Sequence, residues 1–558
     1  MAIRSADYDE PLLLTETYIE GMVNYKGENI KNNNSEFGGW KSASRVITIG
    51  GVESFIIFGV SANLISFLTI QLGQSTATAA QNINAWSGIT LMLPVLTAYV
   101  GDSYLGRFRT ILFSTIIYIL GLGLLTLCTS QLATCSNIAA EDNLSCPSPS
   151  TFDVIFFFSS LYLIGFGGAG YRTCVPAFGA DQIGELNSQE SKSNSSFFNW
   201  WVLGQSVGSC SSHLILHYVQ DNLGWGLAFG ISCISMVIAL IVILSGIRSY
   251  RYTLKKDADK MNPFKGITSG LVNTVKNWRT NSSSLAITIQ VDPTTSKLQG
   301  SRKAVTAFTI SMDEGVLRVV PVWIICLTYP IVQSQVTTFF IKQASTMDRS
   351  IGPYFQIPTA SIQIFLSISI ILFAAMYSRT FVPIAQAFTG KPYGMTTLQR
   401  IGGGIFISAM SMVVAGIVEN RRLKIAFQFH LVDDPKATVP MVVWWLIPQY
   451  VLSGLGLVFA AVGFQEFFYD QVPNGLRSVG LSLFSTMFAV GHFLSVLLIS
   501  VVQKVTTAGG QHGWIANNIN QAHLDYFYWF LACLSVIELV AFLCFSKSYV
   551  YKHAGAPM

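Results

Sequence analysis

The sequence predicts an all-α polytopic membrane protein with twelve transmembrane helices in two six-helix halves. Only 11% of the 558 residues are charged, whereas 51% are hydrophobic. A soluble domain usually carries about 25% charged residues. Apolar stretches of about 20 residues, the length that crosses about 30 Å of hydrocarbon, alternate with short polar segments. These stretches are too long for barrel strands and lack strict alternation, so helices are the predicted structure.

The twelve predicted spans divide evenly around one long polar loop. They begin near Val46, Ala85, Thr110, Phe152, Phe197 and Trp225 in the first half, and near Leu317, Thr359, Ile401, Val442, Gly480 and Tyr526 in the second. The predicted regions are a tail (1–44), the first half (45–247), a central loop (248–314), the second half (315–548) and a second tail (549–558). Six spans, a loop and six more spans are the layout of the major facilitator superfamily, in which the substrate binds between the halves.

The distribution of basic residues predicts the orientation. The central loop carries eleven Lys and Arg against three Asp between Arg248 and Lys303, which places it in the cytosol together with both termini. The loop predicted between spans 3 and 4, Ser130–Ser150, has no Lys or Arg and is predicted on the other side. The loop predicted at Glu419–Lys436 disagrees with this topology, because it has basic residues at 421, 422 and 424 on the non-cytosolic side.

The loop after span 3 also carries candidate sites for a disulfide and for glycosylation. Cys135 and Cys146, named here the outer-loop cysteines, flank a glycosylation sequon at Asn143. A non-cytosolic location permits a disulfide between them. Two free thiols are the alternative.

The N-terminal tail contains a sorting signal candidate. Asp9 is followed four and five residues later by Leu13 and Leu14, a spacing that suits a sorting adaptor with a basic patch and an apolar groove. We expect the vacuolar membrane, with the plasma membrane as the alternative.

A glycine turn after span 2 carries one acid and two bases, Asp102, Arg107 and Arg109. At a cytosolic helix junction, these side chains can form ion pairs that latch neighbouring helices and contribute to gating. The alternative is a turn that is basic only because it faces the cytosol.

From Gly39 to Lys552 the sequence resembles the plant nitrate transporter and peptide transporter family, relatives of the proton-coupled oligopeptide transporters. The matching segments include AYVGDSYLGRFRT (98–110), CVPAFGADQ (174–182), FFNWW (197–201), FQIPTASIQ (355–363), FVPIAQAFTGKPYGMTTLQRIGGG (381–404), VGFQEFFYDQVP (462–473) and HLDYFYW (523–529). The resemblance implies secondary active or facilitated transport of nitrate, peptides, hormones or secondary metabolites, and does not choose among them.

Two buried charges are the main site candidates, because an ionisable group within a bilayer is costly and is usually functional. Glu53 lies in span 1 and Arg172 in span 4. The family carries a Glu-x-x-Glu-Arg/Lys motif in span 1, linked to proton coupling, and a Lys in span 4. Here Gly50 replaces the first Glu, Ser54 replaces the basic residue, and Arg172 replaces the Lys. We expect a simple Glu53–Arg172 pair with weak or altered proton coupling, or a pair that only pins the two spans together.

Two further positions bear on the substrate. Leu457 stands in span 10 where peptide-transporting relatives place an acidic residue for the substrate amine, and an amine without a carboxylate partner binds poorly in an apolar cavity. Gln333 in span 7 falls where a nitrate-transporting relative carries a His, and its amide can donate hydrogen bonds to an anion.

Missing motifs narrow the function further. The sequence has no Walker loop, HExxH or CxxC motif, so we expect no ATP drive, cofactor or metal. The basic loops explain the net charge of +5, so nucleic acid is not an expected partner. The expected partners are the lipid bilayer, a small anion and protons. Nitrate is the leading substrate, and hormones, peptides, secondary metabolites or a sensor role are the alternatives to nitrate transport; an enzyme is not expected.

Overall fold

The computed structural model describes most of the chain. The described residues are 18–31, 37–142, 149–183, 190–253, 319–376, 380, 382–389, 395–435, 437–471, 477–508 and 513–549.

Each predicted span corresponds to a helical segment, and the predicted fold class is confirmed. The segments are span 1 (Gly39–Ile70), span 2 (Thr76–Val100), span 3 (Arg107–Asp142), span 4 (Thr151–Ile183), span 5 (Glu190–Asn222), span 6 (Trp225–Ser245), span 7 (Val319–Ser345), span 8 (Thr359–Met376), span 9 (Thr397–Gln428), span 10 (Val443–Phe468), span 11 (Arg477–Thr506) and span 12 (Leu524–Ser548). Among the described residues, ten of these segments are long and apolar enough to cross a membrane.

Spans 2 and 5 are the two helices that do not meet this combined criterion of length and apolarity among the described residues, and both carry polar side chains into the protein interior. Asn84 of span 2 donates a hydrogen bond to Ser495 of span 11 at 3.1 Å. His213 and His217 of span 5 are fully buried and their rings lie 5.1 Å apart. Both helices therefore contribute polar side chains to contacts inside the bundle.

Four spans are interrupted. Span 1 consists of Gly39–Ser61 and Leu64–Ile70, and span 8 begins with a 3-10 turn at Thr359–Gln363 before Ile364–Met376. Span 7 consists of a helix at 319–325, Thr328–Gln333, a 3-10 turn at Ser334–Thr337, and Phe339–Ser345. Span 10 consists of a 3-10 turn at Val443–Leu446, Ile447–Gly456, a π-helical turn at Leu457–Ala461, and Val462–Asp470. A short helix at Val382–Thr389 lies between spans 8 and 9.

Glycine allows several spans to pack closely. A Cβ on Gly208 of span 5 would overlap the carbonyl oxygen of Gly51 in span 1. A Cβ on Gly404 of span 9 would overlap the backbone of Ala460 in span 10. The glycine run at 402–404 therefore includes a helix-packing glycine.

Two predicted loop boundaries are wrong. Span 3 continues to Asp142 and span 9 continues to Gln428, so the first parts of the loops predicted at Ser130–Ser150 and Glu419–Lys436 are helical. The reason is local propensity, since both continuations contain good helix formers and neither Gly nor Pro.

A small three-stranded sheet lies at the end of the bundle where span 1 begins, named here the sheet end. Strand β1 (Tyr18–Val23) pairs with β2 (Asn29–Lys31) and with β3 (Tyr252–Thr253), antiparallel in both cases. The N-terminal segment is therefore bonded to the residues that follow span 6.

The opposite end, named here the closed end, carries two further strand pairs. Strand β4 (Met347–Asp348) pairs in parallel with β7 (Val439–Val442), and β5 (Ser350–Ile351) pairs with β6 (Phe355–Gln356).

The two halves are bonded to each other towards the closed end. Asp221 of span 5 accepts a hydrogen bond from the backbone N–H of Thr359 at 3.1 Å and lies 3.9 Å from Arg349. Further bonds between the halves among the described residues include Thr76–Asn517, Gln81–Ser500, Asn84–Ser495, Asn84–His492, Lys342–Thr69, Ser361–His213 and Ser209–Ser367. These contacts join the halves along spans 2 and 11 and along spans 5 and 8.

Two of the three basic residues that disagreed with the predicted topology have partners within the fold, whereas Lys424 is exposed. Arg422 is fully buried and lies 2.6 Å from Glu419, one turn earlier in span 9. Arg421 lies over the ring of Trp445, with its guanidinium carbon 4.2 Å from the ring centroid. Both residues belong to span 9, so they are not loop charges of the kind that sets topology.

Candidate functional site

An ion pair joins spans 1 and 4 inside the first half. Arg172 donates from Nε to Oε1 of Glu53 at 3.0 Å. The Glu53 side chain is 4% exposed, whereas that of Arg172 is 28% exposed. The predicted pairing is thus present in the structure, with the carboxylate buried and the guanidinium partly accessible.

The guanidinium has donors to spare. Among the described residues, the hydrogen bond from Nε to Glu53 is the one that Arg172 makes. Guanidinium carries five N–H donors in a fixed planar fork that matches planar anions. Arg172 can therefore remain bonded to Glu53 while its terminal nitrogens bind an anion.

Gly50, which stands where the family motif has its first glutamate, is closely packed in this chain. A Cβ on Gly50 would overlap the ring of Trp201 in span 5. That ring is itself held by Phe197, with the two ring centroids 6.3 Å apart. Position 50 therefore has no room for a carboxylate, and Glu53 is left without a nearby carboxylate neighbour in span 1.

Two tyrosines beside this pair could not be singled out from sequence. Tyr118 of span 3 and Tyr171 of span 4 are buried and lie within electrostatic reach of Glu53. Neither hydroxyl has a hydrogen-bond partner within the described part of the chain. Both can serve as donors near the ion pair, but tyrosines are too common in membrane helices to signal this role in advance.

Gln333 lies in the second half, on the short helix Thr328–Gln333 of span 7. Its amide nitrogen donates to the Tyr329 hydroxyl at 3.3 Å and to Ser408 Oγ of span 9 at 3.1 Å. Both amide hydrogens therefore have protein acceptors in this conformation. To bind an anion, Gln333 has to give up one of these bonds.

Leu457 is half-buried at the first position of the π-helical turn Leu457–Ala461. The turn disturbs the regular backbone bonding of span 10, and Arg400 of span 9 donates to the carbonyl of Val458 at 3.0 Å. The position thus contributes an apolar side chain at a helix irregularity, a feature common at functional sites.

The glycine turn after span 2 ends at Arg107, which forms an ion pair near the sheet end. Arg107 lies 2.7 Å from Asp181 of span 4, and in the second half Arg400 lies 3.2 Å from Glu466. Arg109 is exposed. Asp102 lies on the π-helical turn Gly101–Leu105, with its side chain outside the described residues. Arg107 thus bonds spans 3 and 4, while a gating role stays a prediction.

Several predicted sites fall outside the described residues. These are Asp9, Leu13, Leu14, Asn143 and Cys146, together with the side chain of Cys135 near the end of span 3. The described residues contain no group of three or more potential metal ligands.

One buried acid was missed by sequence reasoning. Glu538 of span 12 is 4% exposed and accepts a hydrogen bond from the backbone N–H of Tyr329 at 3.2 Å. The sequence does show Glu538 as a lone charge in the apolar run between Ser535 and Lys547. It does not show which groups surround the side chain.

Solved structures with the same fold define the class. An auto-inhibited POT family peptide transporter superposes with a TM-score of 0.69 at 18% identity, over 93% of this chain and 99% of the other. The transporter PepTSo gives 0.67 at 19% identity, over 92% and 99%. At these identities the likeness establishes the fold, which is that of a membrane transporter built from two helical halves.

Sequence relatives define the family. The POT family profile matches residues 108–515. Protein NRT1/PTR FAMILY 5.10 of Arabidopsis thaliana is 50% identical over 530 residues, covering 93% of this chain and 94% of that protein. Protein NRT1/PTR FAMILY 5.14 of the same plant is 44% identical over 553 residues, covering 97% and 98%. The chain belongs to the POT family, in its NRT1/PTR branch, and is a secondary transporter of small molecules.

Proposed function

We propose that this transporter carries a small anion, with nitrate as the first candidate. The observation that supports the proposal is the Arg172 guanidinium, bound through Nε to Glu53 and 28% exposed. Hydrogen bonds to a charged partner contribute about 1.5–3 kcal/mol each. Loss of the guanidinium is therefore expected to weaken anion binding by about tenfold to a hundredfold.

The second half supports a substrate without an amine. Leu457 offers no carboxylate at the position where a peptide amine is held in the relatives that the sequence resembles. An unpaired ammonium group in a low-dielectric cavity is strongly unfavourable. Peptides are accordingly the least favoured of the family's substrates for this chain.

The packing around Glu53 supports weak proton coupling. A proton symporter needs a group that gains and loses a proton during the cycle, and the relatives share this task among several span-1 charges. Here Glu53 is the one carboxylate of span 1 and is bonded to Arg172, and a Cβ at position 50 would overlap Trp201. Transport then runs down the electrochemical gradient. Moving one charge through 100 mV is worth about 2.3 kcal/mol, a concentration ratio of about fiftyfold.

For the orientation, we propose that the sheet end faces the cytosol. The basic central loop follows β3 and the N-terminal tail precedes β1, so both leave the bundle there. Bonds between the halves towards the closed end then describe a carrier shut on the non-cytosolic side.

For the location, we propose the vacuolar membrane, reached through a sorting adaptor that binds Asp9, Leu13 and Leu14. The support is the spacing of an acid and two leucines in the N-terminal tail. The plasma membrane is the alternative outcome.

Uptake into liposomes tests the anion proposal. The full-length protein is reconstituted with the voltage clamped by potassium and valinomycin, and isotope-labelled nitrate is supplied. We expect voltage-driven uptake, reduced at least tenfold by Arg172→Gln and unchanged by Arg248→Gln, an exposed basic residue after span 6.

Two results would contradict the proposal. Displacement of nitrate only by larger hormones or metabolites, with no nitrate flux, would identify a different substrate class. Nitrate accumulation driven by a pH gradient alone, and abolished by Glu53→Gln, would show that one carboxylate supports full proton coupling.

A further inference from the structure

Glu538 is a buried acid whose surroundings differ from those of the paired glutamates. Glu53, Glu419 and Glu466 each lie within 3.2 Å of an arginine nitrogen. Glu538 is 4% exposed and has no such partner within the described residues. It is packed beside the apolar core of the second half, which includes Cys326, Tyr329 and Phe542.

The hydrogen bonding of Glu538 is incomplete. Oε1 accepts the backbone N–H of Tyr329 at 3.2 Å, whereas Oε2 has no partner in the described part of the protein. The N–H of Tyr329 is available because span 7 is broken at residues 326–327. Pro330 contributes to this break, since it has no N–H with which to continue the helical bonding.

No charge on the neighbouring helices compensates Glu538 among the described residues. Span 7 presents the thiol of Cys326 and the phenol of Tyr329, both within its electrostatic reach. On span 9, Arg400 is paired with Glu466, and Arg422 with Glu419. Arg421 stacks on Trp445, and Lys424 is exposed. On span 12 itself, Asp525 and Lys547 lie near the two ends, at least nine residues away along the helix.

We propose that Glu538 is a proton-binding site of this carrier and holds a proton in the conformation described. An ionised carboxylate loses its hydration when it is buried, and one backbone N–H returns only part of that loss. A neutral carboxylic acid avoids the cost. The protonated oxygen carries no charge, while the other oxygen accepts the N–H of Tyr329.

The site is connected to a candidate substrate residue through one short helix. Tyr329 and Gln333 both lie on Thr328–Gln333, and Gln333 donates to the Tyr329 hydroxyl and to Ser408. A shift of this helix therefore changes the surroundings of Glu538 and the bonding of Gln333 together. Ionisation of Glu538 disfavours the present packing and slows the transport cycle.

Infrared spectroscopy tests the proton directly. A protonated carboxyl group has a C=O stretching band that an ionised carboxylate lacks. In the full-length protein, reconstituted in lipid at neutral pH, we expect Glu538→Gln to remove one such band. Glu466→Gln, at a 47% exposed side chain paired with Arg400, is the matched control and should leave the band in place.

The same infrared measurement would also show whether Glu538 is ionised. If Glu538→Gln removes a carboxylate stretching band and no C=O band, Glu538 is ionised and the inference is wrong. If the variant fails to fold, the infrared measurement is made on the wild-type protein instead. Heavy-carbon labelling of glutamate side chains must then shift a protonated-carboxyl band at neutral pH, and no shift would overturn the inference.

Transport supplies the functional readout. In nitrate counterflow, the wild-type rate is expected to fall with rising alkaline pH, by up to tenfold per pH unit, while Glu538→Gln stays constant. Identical pH profiles would overturn the link to the cycle. The infrared result needs no solute, so absence of nitrate flux would count against the proposed function and leave the proton site to be judged separately.

Discussion

The buried arginine of span 9 gives the sharpest stability prediction. Arg422 uses all five donors: two bonds to Glu419, one each to Thr346 and Asn520, and one to the carbonyl of Ile519. Both members of the ion pair are 0% exposed. Arg422→Met strands the Glu419 carboxylate in the interior, and breaking a buried pair in this way costs about 3–5 kcal/mol.

Thermal unfolding of the detergent-purified protein, followed by size-exclusion fluorescence, measures the effect. The adjacent Arg421→Met is the control, because Arg421 is exposed and stacks on Trp445, a contact worth about 0.5–1 kcal/mol. We expect a large loss of melting temperature for Arg422→Met and a small one for Arg421→Met. The double variant with Glu419→Gln should recover part of the loss. Equal melting temperatures for the two single variants would refute the reasoning.

Three further predictions follow from packing and sequence. Gly50→Ala should lower the melting temperature, because its Cβ overlaps a tryptophan ring, whereas Gly123→Ala, which meets nothing within 4 Å, should not; overpacking costs about 1–3 kcal/mol. Replacing Leu13 and Leu14 with Ala should redirect a fluorescent fusion from the vacuolar membrane, and unchanged localisation would exclude the signal. The outer-loop cysteines should resist alkylation in intact membranes until they are reduced, and immediate labelling of both would exclude the disulfide.

The sequence was informative wherever a large energy decides the structure. Apolar stretches of about 20 residues fit a membrane helix, so the spans could be located from the hydrophobic pattern along the chain. The pairing of Glu53 with Arg172 could be expected for the same reason, since opposite charges in a bilayer interior need each other. Such costs depend on residue type and can be read without knowing the packing.

The features that could not be predicted from the sequence depend on how the helices pack against one another. Gln333 appeared in sequence as a free donor, yet its amide is bonded to Tyr329 and Ser408. The basic residues near the end of span 9 suggested a loop on the wrong side, yet Arg422 lies inside the protein. Glu538 is buried like Glu53, but it has no arginine beside it within the described residues. Ser408, which binds Gln333, and Thr346 and Asn520, which bind Arg422, are distant in sequence from the residues that they contact. Tyr329 and Glu419 lie close in sequence to Gln333 and Arg422, respectively.

The strand pairing at the sheet end limits how far the sorting signal in the N-terminal tail can lie from the bundle. Strand β1 begins at Tyr18 and is bonded through β3 to the residues after span 6. Leu14 lies four residues before that anchor, which is at most about 14 Å of fully extended chain. Any adaptor that grips Leu13 and Leu14 must sit almost against the face from which spans 3 and 4 project Arg107 and Asp181. A bound adaptor and the parts of the carrier that move during transport would then occupy the same space. A carrier bound to its adaptor during sorting would therefore be sterically hindered from completing the transport cycle.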